Sequence, residues 1–93
     1  MTHIDCSELR AIPILRVADA LGMALVPRGA GVYALREDRQ ITSLTVFEKT
    51  NSWYRFSGKT SGGVSGGSPI DLVMHMQDCP FQTAISFLSQ RFP

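Results

Sequence analysis

Cysteine is scarce in this chain: Cys6 and Cys79 are the whole complement, far apart and set among apolar neighbours. Two such thiols do not make a disulfide framework and read as reduced side chains. No apolar run approaches the roughly 20 residues that span a bilayer, and Met1-Thr2-His3-Ile4-Asp5 lacks the basic and apolar regions of a signal sequence. The expectation is a cytoplasmic protein with no membrane partner. Net charge is also low, +1, which argues against nucleic-acid binding by bulk electrostatics alone. The charge is unevenly spread, however. Between Arg28 and Lys59 six basic residues (Arg28, Arg36, Arg39, Lys49, Arg55, Lys59) face three acidic ones (Glu37, Asp38, Glu48), so the middle of the chain is +3 and the remainder −2.

What is present fits one small domain over residues 1–93. Apolar residues at Ile14, Val17, Ala18 and Leu21 follow the spacing of one helical face, with Pro13 suited to the first helical position and Gly22 to the C-terminal cap. Asp5 or Ser7 caps a short turn through Leu9 before it. Met23–Arg28 and Val32–Arg36 flank Gly29-Ala30-Gly31 and predict one hairpin. Ser43–Phe47 and Ser52–Phe56 flank the polar turn Glu48-Lys49-Thr50-Asn51 and predict a second.

Ser57–Gly67 has five glycines in eleven residues and reads as a mobile or ligand-facing loop. Ser68 then caps a helix with Pro69 at its first position and Asp71 at its third, where a carboxylate meets free N–H groups. Its expected buried face is Ile70, Val73, Met74 and Gln77, flanked by Leu72 and Met76. A last helix from Pro80 presents Phe81, Ala84, Ile85 and Leu88 at helical spacing and closes near Arg91. Ending at Phe92-Pro93, directly after a helix, suggests a junction with a following domain.

The run Gly66-Gly67-Ser68-Pro69-Ile70-Asp71-Leu72-Val73-Met74, followed by Phe81, Ala84-Ile85 and Leu88, resembles the Cys-His-Cys-Cys zinc domain at the N-terminus of DnaG-type bacterial DNA primases, also found in plasmid-mobilisation and Toprim-containing proteins. The resemblance covers about Ile12 to Phe92. It implies a zinc-ribbon-like α+β fold: a small antiparallel sheet of about four strands, one helix before it and two after. Where the family has its four zinc ligands this chain has Arg36, Arg39, Arg55 and Gly58. A guanidinium is a permanent cation without a lone pair to give, so these positions cannot hold Zn²⁺ and the fold is expected to be metal-free, without a cofactor. A structural zinc supplies roughly 10 kcal/mol or more in small modules. Packing must replace it, and Trp53, Tyr54, Phe56, Phe47 and the two closing helices are the candidates.

Three readings of Arg36, Arg39 and Arg55 remain open on the sequence: an arginine–acid network with Arg55 paired to Asp38 or Glu37, a phosphate-contacting patch, or ordinary solvated surface. Trp53, Tyr54 and Phe56 beside Arg55 and Lys59 suit a stacking platform for single-stranded nucleic acid. Alternation in a strand equally places Tyr54 and Phe56, or else Trp53, in the core. Gly58-Lys59-Thr60 ends like a phosphate-binding loop, but the first glycine of that motif would fall on Trp53 and no helix follows directly. His75 with Cys79, and His3 with Cys6, lack a second ligand pair and read as surface imidazole and core thiol. No nucleophile–base set or acid/base carboxylate pair is evident, so no active site is expected. The functional expectation is a non-catalytic DNA-binding module that engages single-stranded DNA through Arg36, Arg39, Trp53, Tyr54, Arg55 and Lys59. It would be the N-terminal part of a longer primase-like or mobile-element protein, with catalysis in a separate Toprim domain. The alternative is a protein-interaction module that has lost nucleic-acid binding along with zinc and docks a neighbouring domain or partner.

Overall fold

The computed structural model describes residues 6–35, 44–55 and 63–92. Two helices, α1 (Cys6–Arg10) and α2 (Ile14–Ala20), lead into strands β1 (Leu25–Gly29), β2 (Val32–Leu35), β3 (Leu44–Phe47), β4 (Ser52–Arg55) and β5 (Gly66–Gly67). Helices α3 (Pro69–Gln77) and α4 (Phe81–Arg91) follow. The strands form one antiparallel sheet in sequence order. The fold is therefore α+β, as expected, with one more strand and one more short helix than anticipated.

Local chemistry sets most boundaries. Helix α2 starts one residue later than predicted, because Pro13 is extended (ψ 125°) and contributes its carbonyl to Arg16 N–H. It ends in a Schellman arrangement: Met23 N–H reaches Ala18 O, Gly22 N–H reaches Asp19 O, and Gly22 takes φ +75°. The first hairpin turns through Ala30-Gly31, one residue tighter than expected, and a bulge between Pro27 and Gly29 absorbs Arg28. Pro27 is tolerated because β1 is an edge strand.

Strand β5 corrects the reading of 57–67 as loop throughout. Gly66 and Gly67 pair with Tyr54 and Trp53. They carry no β-forming side chain, yet glycine is what the site requires. A Cβ on Gly66 would sit 2.7 Å from Tyr54 Cδ2 and 3.1 Å from Trp53 O. At Gly67, with φ +133°, a Cβ would collide with the Asp71 carboxylate. That carboxylate accepts Ser68 N–H at 2.9 Å and Ser68 Oγ–H at 3.0 Å, and with Ser68 Oγ in turn accepting the backbone N–H of Asp71 the capping box of α3 is complete.

One face of the sheet and all four helices share a single core. Leu44, Val46 and Trp53 come from the sheet, Leu9 from α1, and Ile14 and Val17 from α2. Helix α3 adds Ile70, Leu72 and Val73, and α4 adds Ala84 and Leu88. The expected buried face of α3 needs correction: Gln77 and Met76 are exposed and Met74 is half-buried, whereas Leu72 and His75 are buried. The reason is that α3 packs against β4 and β5 as well as the other helices, so more than one stripe is covered. Phe81, in the first turn of α4, is exposed rather than buried. Among the described residues no helix is long and apolar enough to cross a membrane.

Candidate nucleic-acid interface

Strand register gathers the chain ends that carry the basic residues. Leu44 pairs with Arg55, and the Ala34–Thr45 pairing places Leu35 beside Leu44. Segments 36–43 and 56–62 are thus attached at adjacent points on one end of the sheet, where neighbouring strands lie about 4.8 Å apart. Arg36, Arg39, Gly58 and Lys59 fall in those segments and lie outside the described residues, as do Glu37, Asp38 and Phe56.

Arg55 closes β4 at this end and is half-buried. Its Nε–H donates to His75 Nε2 at 2.8 Å, and His75 Nδ1 lies 2.9 Å from the carbonyl oxygen of Val64. A carbonyl can only accept, so Nδ1 carries the proton; Arg55 Nε–H can only donate, so Nε2 presents its lone pair. These partners select one neutral tautomer of a side chain that is 4 % exposed. The backbone N–H of Arg55 also donates to Ser65 O at 2.8 Å. Trp53 Nε1–H donates to Ser68 O at 3.0 Å, and its ring lies 4.8 Å from the His75 ring, tilted by 51°. Strand β4, segment 64–68 and helix α3 are joined by this one cluster.

The cluster reassigns three residues. Trp53, 2 % exposed, is core and offers no face to a base, which corrects its place in the stacking platform. Arg55 has a described partner in His75, a pairing that sequence reasoning missed. His75 itself is buried rather than at the surface. The signal available was a single ring with two nitrogens inside the apolar run Leu72-Val73-Met74-His75-Met76, since a buried imidazole requires a partner for each nitrogen. Tyr54, the neighbour of Trp53 on β4, is exposed, at 45 %, with its ring across Gly66.

The arrangement is poorly suited to hold a metal. Both His75 nitrogens are engaged, and Cys79 Sγ points to Val73 O at 3.9 Å. No group of three or more His, Cys, Asp or Glu residues could hold an ion among the described residues. Burial, followed by the neighbouring Asp78 charge, pushes the Cys79 thiol above its ordinary titration range.

Comparison with models of protein families, with curated proteins and with solved structures finds no match.

Proposed function

We propose that the chain is a non-catalytic module that engages single-stranded DNA at the basic end of its sheet. The observation that carries this reading is the register that attaches segments 36–43 and 56–62 side by side, so that Arg36, Arg39 and Lys59 belong to neighbouring connections. Their chemistry suits phosphate. Tyr54, exposed on β4, is the aromatic available for stacking on a base. Arg55 and Trp53 move from contact residues to support: they brace β4 against α3 and so position the end of the sheet. The likeness to the primase zinc domain is consistent with a cytoplasmic, N-terminal place in a longer primase-like or mobilisation protein whose Toprim domain does the catalysis.

The burial of Trp53 and the engagement of the half-buried Arg55 by His75 favour one second reading, that of a protein-docking module. Fluorescence anisotropy with a labelled single strand of about 12 nucleotides separates the two. Three phosphate contacts predict a slope of about −2 for log affinity against log salt concentration. Replacing Arg36, Arg39 and Lys59 together by Ala should abolish the salt-sensitive binding. Absence of salt-sensitive binding to high micromolar protein rejects the DNA reading.

A further inference from the structure

A second surface, built by helices alone, carries chemistry that the DNA reading does not use. A groove of about 410 Å³ runs between α2 and the last turn of α4, lined by Leu15, Arg16, Asp19, Ala20, Arg91 and Phe92. The guanidinium carbon of Arg16 lies 5.4 Å from the Phe92 ring centroid, and that of Arg91 lies 5.3 Å from the Phe87 centroid. Neither guanidinium has a carboxylate or hydrogen-bond partner among the described residues. The first residue of α2 is held at Asn51, at the opposite end of the β3–β4 hairpin from Leu44 and Arg55.

A guanidinium resting on an aromatic face keeps its in-plane N–H groups directed outward, already restricted for a two-pronged contact with an oxyanion. Two such groups at the edge of a groove with Leu15, Ala20 and Phe92 call for an anion that also brings apolar surface. A continuous phosphate backbone is a poor fit, because it brings no apolar surface to Leu15, Ala20 and Phe92, and two guanidinium groups with the Asp19 carboxylate leave the lining at a net +1, which suits a single anionic group better than a polyanion. We infer that this groove docks an acidic, amphipathic peptide segment of a partner protein. A carboxylate is held by Arg16 and Arg91, and the adjoining apolar side chain lies on Leu15, Ala20 and Phe92. The volume is that of a site for a few side chains. This inference stands apart from the DNA reading, and either can fail without the other.

The test is a ¹H–¹⁵N titration of the full chain with the peptide acetyl-Leu-Glu-Leu-Glu-Leu-amide and with its Glu→Gln counterpart. The expected result is shift changes concentrated at Arg16, Asp19, Ala20, Arg91 and Phe92, with the glutamine peptide binding about tenfold more weakly or worse. Arg16→Gln with Arg91→Gln should produce a loss of the same order, and Arg16→Lys with Arg91→Lys, which keeps the charge but not the fork, an intermediate one. Unperturbed spectra of these variants elsewhere establish that they are folded. No shifts at about 5 mM peptide, equal binding of the glutamine peptide, or shifts confined to another surface would overturn the proposal. So would a single-stranded oligonucleotide that moves the groove amides at lower concentration than the peptide, since that assigns the two arginines to phosphate.

Discussion

At its turn, the β3–β4 hairpin is fastened to the helices by a neutral amide; at its open end it is fastened by a cation. Asn51 sits in the turn with φ +52°. Its Oδ1 accepts Ile14 N–H at 2.7 Å, and its Nδ2 donates to Arg10 O at 2.9 Å and Ile12 O at 3.0 Å. One side chain therefore caps α2, whose Pro13 has no N–H to give, and closes the α1–α2 corner onto the sheet. At the other end Arg55, His75 and Val64 make the connection, and the segments attached there carry Arg36, Arg39 and Lys59. The contrast teaches where charge is tolerated. A neutral amide satisfies three backbone groups at a helix corner without importing charge. Arg55 can share its half-buried site with His75 because the imidazole is neutral and aims a lone pair at it.

This comparison can be broken at its stronger end first. Asn51→Ala removes three hydrogen bonds and places a Cβ residue that disfavours positive φ, and should cost about 2–3 kcal/mol in urea unfolding. Asn51→Gly should recover only the backbone part of that loss, about 1 kcal/mol. Full recovery by glycine would mean that the side-chain contacts contribute nothing. The open end should be weaker. A double-mutant cycle of Arg55→Ala and His75→Ala should give a coupling of about 1 kcal/mol, moderated by the partial exposure of Arg55. Additive losses would dissolve the pair.

The smallest effect belongs to Cys79, just beyond α3. In a Cys6→Ser background its alkylation should be slower than that of an unhindered thiol at mildly alkaline pH, because burial and Asp78 both hold the proton on sulfur. The sign for stability follows. Since the folded thiol titrates above its ordinary range, its contribution is complete below the ordinary range and is lost as pH rises from there through the raised folded one. Alkylation as fast as in the unfolded chain would contradict this.

Much of the frame was legible in the sequence because it rests on local rules. The apolar spacing of Ile14, Val17 and Ala18, the polar turn at Glu48–Asn51 and the Ser68-Pro69-Ile70-Asp71 helix start each carry their own physical cause. What was not legible depends on pairing between distant segments. Strand β5 has no side chains to announce it, and only the closeness of Tyr54 and Asp71 explains its glycines. Asn51 was readable as a turn residue, but nothing local says that its amide reaches back to Arg10. Trp53 and Tyr54 could each have faced inward until register set Trp53 opposite Val46 on the core side. The sequence leaves Arg55 to an acid, a phosphate or solvent, and its meeting with His75 depends on the second covered side of α3.

The structural role of Arg55, donating to a neutral His75 that is itself held by Val64, is tested most directly by the protonation pattern of His75. Long-range ¹H–¹⁵N correlation spectra at neutral pH should show His75 in a single neutral tautomer, with the proton on Nδ1 and a lone pair on Nε2. Arg55→Ala should disturb that pattern. A proton on Nε2, or a pattern indifferent to Arg55, would contradict it.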